Sequence, residues 1–283
     1  MIIQKTISKE ALNYSFLFSI CSIITDRKEY LLMKQSFEDS GFTGDCEFIM
    51  ADNTGGNHFN AYEAILRFIQ ESQATYIVLV HQDIRCIDSK AQLLKCLNDL
   101  TITDNKWAVC GNAGCKGYHQ DIIHINNAGT IIKSENLPTR VYSLDENLLI
   151  INKASGISIS SNLSGFHLYG TDLCIIADFL GYTCYVIPFM VKHLSHGNLK
   201  DLDKHIKSFT NSYGKKIRSR YIQTTCTRFY LSNSVFKNKF YNFPLIFFFI
   251  KAIQRIKLLI QLLVKGNQHK KTKTYEKEII VNS

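Results

Sequence analysis

The first residues that could do chemistry form the segment His81-Gln82-Asp83, which directly follows an apolar run from Ile77 to Val80. The run predicts a buried strand that ends in three polar side chains. In an open α/β sheet ligands bind beyond the carboxyl ends of the strands, so Asp83 is expected where a ligand would lie. A carboxylate there could hold a divalent metal against a diphosphate. The tripeptide alone is equally compatible with Asp83 only capping a turn.

Two earlier strand ends carry side chains that could bind a nucleotide. Thr25 and Asp26 follow the first predicted strand, and Asp52 and Asn53 follow the second. A carboxylate at such a position commonly accepts a hydrogen bond from a base or a ribose hydroxyl. The alternatives are that Asp26 caps the next helix and that Asp52 is a solvated loop residue. The glycines of this region match neither G-x-G-x-x-G nor the Walker pattern, which disfavours a dinucleotide enzyme and a P-loop ATPase.

Asp172 lies in the first turn of a helix that is predicted to start at Gly170 or Thr171. The helix dipole stabilises a carboxylate there, so unless it is buried Asp172 is expected to stay ionised near neutral pH. Its side chain could accept a proton in a transition state, or it could simply cap the helix. His193 and His196 follow a later strand, and their context indicates a strand end and a loop rather than a helix.

Alternating strands and helices are predicted to position these residues. A strand at 15–25, a helix at 26–40, a strand at 46–50, a helix at 60–71 and the strand that begins at Tyr76 give the order β-α-β-α-β. Such alternation implies a parallel sheet with right-handed crossovers, the layout of nucleotide-binding folds. The predicted fold class is therefore α/β.

Further elements are predicted beyond this half of the sheet. They are a helix at 89–100, a strand from Trp107, a polar hairpin or loop at 117–140, an apolar run at 148–151, a helix that ends at Gly181 and a strand at 183–188. The polar hairpin or loop is the segment that we expect to cover the site.

Charge is distributed unevenly along the 283 residues. From residue 201 onward there are 17 Lys and Arg against 4 Asp and Glu, whereas residues 1–200 carry 16 against 20. A mildly acidic body thus carries a basic tail, which suggests an anionic partner, either lipid headgroups or nucleic acid. Nine cysteines without a Cys-x-x-Cys pair indicate reduced thiols, and no signal-peptide cleavage site follows the first apolar run, so we expect a cytosolic protein.

The tail contains an apolar stretch from Phe243 to Val264 that is interrupted by polar residues, among them Lys251, Arg255 and Lys257. These polar groups are too numerous for a membrane span. Because most of them recur every three or four residues, the stretch predicts a basic amphipathic helix that lies in a membrane interface, with lipid and not nucleic acid as the partner. The alternative is a helix that docks on the body of the protein.

Three segments together carry a resemblance to a known family: His81-Gln82-Asp83, Gly165-Phe-His-Leu-Tyr-Gly-Thr-Asp172 and Val191-Lys-His193-Leu-Ser195. In this order and spacing they resemble the bacterial glycosyltransferase family 2-like proteins. The resemblance covers roughly residues 15–230. It implies the GT-A fold, a Rossmann-like, mostly parallel sheet flanked by helices, and the transfer of a sugar from a nucleotide-sugar donor.

The resemblance also implies a metal site. Asp83 matches the last acid of the family's Asp-x-Asp motif, and His193 matches the histidine that commonly completes the site, with His196 as the alternative. His81 departs from the pattern, because the first acid of the motif usually stands there. The implied metal is Mn²⁺ or Mg²⁺, which would offset the negative charge that develops on a leaving nucleoside diphosphate.

Catalytic and donor-binding roles follow from the same resemblance. Asp172 matches the catalytic base, which would deprotonate the acceptor hydroxyl in a single displacement that inverts the anomeric configuration. Asp52 matches the acid that contacts the nucleoside. The nucleotide-binding group is predicted to consist of Thr25, Asp26, Asp52, Asn53, His81 and Gln82.

The predicted organisation is a GT-A domain at 1–230 followed by a basic, membrane-associating tail at 231–283. The predicted function is that of an inverting glycosyltransferase with a nucleotide-sugar donor, UDP-sugar favoured, and a glycan or lipid-linked acceptor. It would act in bacterial surface polysaccharide synthesis on the inner face of the cell membrane. The alternative is a catalytically inactive GT-A-like module that binds nucleotide sugar or glycan.

Overall fold

The structure is a computed structural model that describes residues 14–116, 120–195, 201–216, 219–223 and 228–246, with single positions at 248, 249, 252, 253, 256 and 260. Contacts divide the chain into two units, Met1–Ser212 and Tyr213–Ser283. The predicted domains at 1–230 and 231–283 stay a prediction, because a division by contacts does not assign separate functions to the two parts. His196, Lys251, Arg255 and Lys257 lie outside the described residues.

The first half of unit 1 alternates strands and helices. Its elements are β1 (Phe16–Ile24), α1 (Arg27–Asp39), β2 (Cys46–Asp52), α2 (Ala61–Glu71), β3 (Ala74–Val80), β4 (Ile84–Cys86), α3 (Lys90–Thr103) and β5 (Trp107–Gly111). The three helices begin at Asp26, Asn60 and Ser89, whose side chains accept hydrogen bonds from the otherwise unpaired N–H groups of the first turn. The β-α-β-α-β order predicted from the sequence is confirmed.

Short strands dominate the second half of unit 1. Its elements are β6 (Ala113–Cys115), β7 (Asp121–Asn127), β8 (Thr130–Lys133), β9 (Thr139–Val141), β10 (Ser143–Leu144), β11 (Leu148–Asn152), a 3-10 turn (Lys153–Ser155), α4 (Tyr169–Phe179), β12 (Thr183–Val186) and β13 (Val191–His193). Helix α5 (Leu202–Lys216) follows and extends past Ser212, the last residue of unit 1. Strands this short carry little periodicity of their own.

The larger sheet has the strand order β2-β1-β3-β11-β5-β12-β9. Strands β2, β1 and β3 are parallel, as are β5 and β12, while β11 pairs antiparallel with both β3 and β5. Five of the seven strands therefore run in one direction, so their carboxyl ends meet at one edge. The sheet is flanked by helices, and the predicted α/β class with a GT-A-type, Rossmann-like, mostly parallel sheet is confirmed.

A second sheet has the order β10-β6-β7-β13-β4, with β8 beside β7. Strands β7 and β8 form the hairpin that was expected within 117–140. Strand β13 lies between β7 and β4, parallel to the first and antiparallel to the second. This pairing brings the hairpin next to His193, the last residue of β13.

The core between the sheet and the helices holds the strand ends in place. It contains the fully buried Ile20, Val78 and Ile150 on three neighbouring strands. Beside them Tyr76 stacks on Trp107, with ring centroids 5.9 Å apart. The burial of such apolar side chains is the main source of stability in a domain of this kind.

Unit 2 contains β14 (Arg220–Gln223), β15 (Arg228–Leu231) and α6 (Val235–Tyr241), and the two strands form an antiparallel pair. Many large apolar side chains of this unit are exposed to solvent: Val235, Phe236, Phe240, Phe243, Leu245, Phe248, Phe249, Ile253, Ile256 and Ile260. Within the part of the chain that the structure describes, no helix has the length and apolar character that a membrane crossing requires.

Candidate metal centre

Asp83 lies in the tight turn that connects β3 to β4. The ladder between β3 and β11 continues to the backbone N–H of His81, which donates to the Asn147 carbonyl oxygen at 3.3 Å. The chain then turns, and the Ile84 N–H donates back to the His81 carbonyl oxygen at 3.2 Å. The polar segment His81-Gln82-Asp83 thus lies at the carboxyl end of β3, where the sequence predicted it.

His193 is brought to this turn by strand pairing. Because β13 pairs antiparallel with β4, His193 lies opposite Ile84 and next to Asp83. Its Nε2 lies 3.4 Å from Asp83 Oδ2 and 3.3 Å from Ser195 Oγ. The imidazole is 8% exposed, so only a small part of it faces solvent.

Together with these two residues, His81 completes a cluster of metal-ligating groups. One ligand atom each from His81, Asp83 and His193 lies within 4.8 Å of the others. The His81 Nδ1 is 4.0 Å from Asp83 Oδ1. We call these three residues the His-Asp-His cluster.

The surroundings of Asp83 and His81 favour the protonation states that metal binding requires of these two residues. Burial opposes ionisation of Asp83, but hydrogen bonds from His193 and Ser195 and the two neighbouring imidazoles hold the pKa of its carboxyl well below the usual value. Burial lowers the pKa of His81, against the opposing effect of Asp83. An ionised carboxylate and a neutral imidazole are the forms that bind a cation.

The donor set itself fits a divalent transition metal. Carboxylate oxygen suits Mg²⁺ and Mn²⁺, whereas imidazole nitrogen suits transition metals, and Mg²⁺ is usually bound by oxygen ligands. With two imidazoles and one carboxylate, the cluster could hold Mn²⁺ more readily than Mg²⁺. Its three protein ligands would leave further coordination positions for a substrate or water.

Gln82 ties the end of β3 to the end of β1. Its Oε1 accepts from the backbone N–H groups of Thr25 at 2.8 Å and Asp26 at 3.0 Å, and its Nε2 donates to Thr25 Oγ1 at 2.8 Å. Asp26 Oδ1 accepts from the N–H groups of Lys28 and Glu29. Asp26 therefore caps α1, which the sequence analysis gave as the alternative to nucleotide binding. These three side chains are therefore engaged with one another or with the backbone at the rim of the site.

Asp52 and Asn53 differ in what their side chains do at the end of β2. Asp52 accepts from the N–H and the hydroxyl of Thr54 and from Arg27, and the Thr54 hydrogen bonds lead the effects that lower the pKa of its partly exposed carboxyl. Asn53 is 4% exposed and bonds the backbone of the following loop on both its amide atoms. Asp52 can thus meet a ligand, whereas Asn53 shapes the loop beside it.

Asp172 lies in the first turn of α4, as predicted, but it has no exposed surface. Its Oδ2 accepts a hydrogen bond from the Ser160 N–H at 2.8 Å. The carboxylate therefore anchors a neighbouring loop in this structure. Its assignment as catalytic base stays a prediction, and that role would require the carboxylate to become accessible to an acceptor.

Sequence comparison gives a curated relative of this chain. The protein "ATP synthase subunits region ORF 6" from Fuscovulum blasticum is 32% identical over 213 residues, which cover 72% of this chain and 84% of that protein. The chain belongs to the ORF 6 family. That name refers to a genome region and describes no reaction, so family membership assigns none. No family model matches the chain.

Two solved structures are distant likenesses of this ORF 6 family member. One is a mutant Drosophila β-1,4-galactosyltransferase 7 in complex with manganese, UDP-galactose and xylobiose, at 11% identity and a TM-score of 0.39 over 79% of this chain and 97% of that one. The other is A197 from STIV, at 10% identity and a TM-score of 0.38 over 60% and 81%. Likenesses at this distance concern the fold alone.

The structure adds two residues of the ORF 6 family member that the sequence analysis missed. The Tyr169 hydroxyl lies 2.9 Å from His81 Nε2 and donates to the Glu146 carbonyl oxygen at 3.0 Å. Burial raises the pKa of the Glu146 carboxyl to about 7, against backbone hydrogen bonds from the first residues of α4. Tyr169 stands inside the segment that carries the resemblance, three positions before Asp172. That closeness in sequence was the signal that could have identified it as a site residue. Glu146 had only its place before a buried strand.

Proposed function

We propose that this protein is a metal-dependent glycosyltransferase that moves a sugar from a nucleotide-sugar donor to a glycan or lipid-linked acceptor with inversion. The observation that carries the proposal is the His-Asp-His cluster at the carboxyl end of β3, within a GT-A-type sheet. Ligands of open α/β sheets bind at this edge. The resemblance of the three sequence segments to glycosyltransferases supports the same reaction.

The residues of the cluster have defined tasks in this reaction. Asp83 and His193 would hold the metal together with His81, and Mn²⁺ or Mg²⁺ bound there would supply positive charge for the departing diphosphate. The partly exposed carboxylate of Asp52 would accept from the nucleoside. Gln82 would keep the two strand ends, and thereby these groups, at a fixed separation.

The proton of the acceptor hydroxyl needs a base on the opposite side of the sugar from the leaving group. We assign this task to Asp172 on the resemblance, with Glu146 as the alternative because its pKa of about 7 suits a base near neutral pH. Both residues belong to or contact the N-terminal turn of α4. As the base, Asp172 would need its buried carboxylate to become accessible to the acceptor.

A binding module without activity is the second candidate function. The observation that favours it is the complete burial of Asp172, which leaves the proposed base without access to an acceptor. Such a module would still bind nucleotide sugar through the cluster and Asp52. It would differ from the enzyme only in turnover.

Membrane association is a further part of the proposal. Phe236, Phe243 and Phe248 of unit 2 are 74%, 54% and 66% exposed, and the chain from residue 201 onward carries 17 Lys and Arg against 4 Asp and Glu. Aromatic side chains next to basic charge suit the interface of an anionic bilayer. The protein would then act as a peripheral protein on the cytoplasmic face of a bacterial membrane, where it would build surface polysaccharide.

The proposal is tested by donor turnover. Purified protein would be incubated with UDP-, GDP- and CMP-sugars, with and without Mn²⁺, and the release of nucleotide would be measured, with UDP-sugar expected to react. Asp83→Asn should abolish the Mn²⁺-dependent release, because it removes the charge that the cation needs at nearly unchanged shape. Donor binding without release in the wild type would instead favour the binding module. Full activity of Asp83→Asn at limiting Mn²⁺ would reject the metal site.

A further inference from the structure

The hydroxyl of Tyr169 connects the His-Asp-His cluster to the backbone of the segment between β10 and β11. It lies 2.9 Å from His81 Nε2 and 3.0 Å from the carbonyl oxygen of Glu146, just before β11. The residue is 6% exposed, so water has little access to compete for either contact. Tyr169 itself is not one of the three ligand residues.

The directions of these two hydrogen bonds follow from the number of protons. A tyrosine hydroxyl has one proton to donate, and a carbonyl oxygen can only accept. The proton of Tyr169 therefore goes to Glu146, and the hydroxyl oxygen must accept from His81. This requires a proton on His81 Nε2. In the neutral ring the other nitrogen, Nδ1, then carries the lone pair, because only one of the two nitrogens is protonated.

We propose that Tyr169 is a positioning residue that fixes His81 in the tautomer with the proton on Nε2 and so makes Nδ1 the third ligand atom beside Asp83 and His193. Nδ1 is the ring atom that lies 4.0 Å from Asp83 Oδ1. Hydrogen bonds of this kind to the second nitrogen of a ligand histidine set its orientation and its basicity. The inference rests on the metal centre of the proposed function.

The acceptor of the Tyr169 proton is held rigidly. On one side of Glu146, the Asp145 N–H donates to the Ala113 carbonyl oxygen at 2.9 Å. On the other side, the Asn147 carbonyl oxygen accepts from the N–H of His81 itself. The carbonyl of Glu146 and the imidazole of His81 therefore keep a fixed separation that the hydroxyl spans.

The backbone that carries Tyr169 is equally constrained. Leu168 directly before it has a φ of +67°, a left-handed conformation that non-glycine residues rarely adopt. Gly170 directly after it packs so closely on the end of β10 that a Cβ atom would lie 2.4 Å from the Leu144 carbonyl oxygen. Such strain persists only where the surroundings determine the conformation, and it is concentrated at functional sites.

The tautomer is measured directly by ¹⁵N NMR of histidine-labelled, metal-free protein at a pH where His81 is neutral. We expect the wild type to show His81 protonated on Nε2, and Tyr169→Phe to show a mixture of tautomers or the other one. Titration with Mn²⁺ should give an affinity about 10- to 100-fold weaker in Tyr169→Phe, the usual cost of removing such a partner. Tyr185→Phe is the matched control, because it removes another buried hydroxyl, which bonds Asp104 Oδ2 at 2.9 Å; it should change neither result.

A double variant separates positioning from a general loss of structure. If Tyr169 acts through His81, Tyr169→Phe should weaken Mn²⁺ binding no further in a His81→Ala background. Additive losses would overturn the inference, and so would a wild-type His81 that carries its proton on Nδ1, a result that needs no variant. A protein with the expected tautomer and Mn²⁺ affinity but without donor turnover would reject the glycosyltransferase while leaving the role of Tyr169 intact.

Discussion

Asp172 and Glu146 both lie at the N-terminal turn of α4, but their carboxylates have different surroundings. Asp172 is fully buried and accepts from the Ser160 N–H. Glu146 is half-buried, and its burial raises the pKa of its carboxyl to about 7, although backbone N–H groups of α4 oppose the shift. A general base needs access to the reacting hydroxyl and a pKa near the working pH. Kinetics on variants of the two residues distinguish their roles.

We expect Asp172→Asn to bind donor but to transfer sugar at least ~100-fold more slowly, because a positioned base is lost while the shape is kept. Glu146→Gln is the matched variant, with an expected rate close to that of the wild type. The measurement is single-turnover transfer as a function of pH, together with donor affinity.

The pH dependence of the transfer rate would show whether Glu146, and not Asp172, is the base. A base acts only when it is deprotonated, so a role for Glu146 would make the rate rise with pH through about 7. That rise would be missing in Glu146→Gln. If the wild type showed this rise and Glu146→Gln did not, Glu146 would be the base. Asp172 would then keep the structural role that its hydrogen bond to Ser160 indicates.

The sequence predicted the positions of some site residues and missed the contacts between them. Asp83 could be placed at the end of a strand because the apolar run before it is unambiguous. The sequence analysis assigned His81 to the nucleotide, whereas the structure places it with Asp83 and His193 in the group that could hold a metal. The contact between His81 and Tyr169 joins residues 88 positions apart, and local pattern carries no information about such a pair.

At the scale of elements, the long helices and strands were predictable and the short strands were not. Strand β1 is a mostly apolar run of nine residues, and helix α2 has an apolar face over eleven residues, which is enough to identify the type and place of each. Strands β4 and β13 have only three residues each. Their pairing depends on the second sheet, and this pairing positions His193. The closeness of His193 to Asp83 could therefore be predicted from the family resemblance but not from periodicity. The antiparallel direction of β11 likewise depends on tertiary pairing.

The packing of α4 against the end of β10 leads to a prediction at this scale. Gly170→Ala would place a Cβ atom 2.4 Å from the Leu144 carbonyl oxygen, a backbone atom that cannot move aside cheaply. We expect the free energy of unfolding in urea to fall by about 1–3 kcal/mol, although alanine is the better helix former. Because the helix must shift at Tyr169, Mn²⁺ affinity should fall as well.

Gly55→Ala provides the control for this substitution. A Cβ atom at Gly55 would have one neighbour within 4 Å, His58 Nε2 at 3.6 Å, which is ordinary contact. We expect its stability and Mn²⁺ affinity to match those of the wild type. If Gly170→Ala lost stability while Mn²⁺ binding was unchanged, the packing of α4 would be shown to act independently of the cluster.

On the scale of the whole molecule, charge and apolar exposure are both concentrated in one part of the chain. Residues 1–200 have 16 Lys and Arg against 20 Asp and Glu, and the excess of positive charge begins after them. The exposed aromatic residues of unit 2 follow in the same region. Large apolar side chains are unfavourable in water, and their exposure beside basic charge is the observation on which the proposed membrane association rests.

We therefore expect the full-length protein to bind vesicles of phosphatidylcholine with phosphatidylserine, and to bind them less tightly as salt rises. Each basic residue near the surface should contribute on the order of 1 kcal/mol at low salt. In flotation assays the triple variant of Phe236, Phe243 and Phe248 to serine should bind at least ~10-fold more weakly, because each apolar side chain that enters the bilayer contributes roughly 1.5–3 kcal/mol. Ile102→Ser is the control, since Ile102 is 85% exposed in unit 1 and should not touch the bilayer.

Donor turnover of the triple variant should stay at the wild-type level, because the proposed site lies wholly before residue 200. If the triple variant bound vesicles as tightly as the wild type, unit 2 would not be the membrane-binding part, and the β7–β8 hairpin with its exposed Ile131 and Ile132 would be the next surface to test.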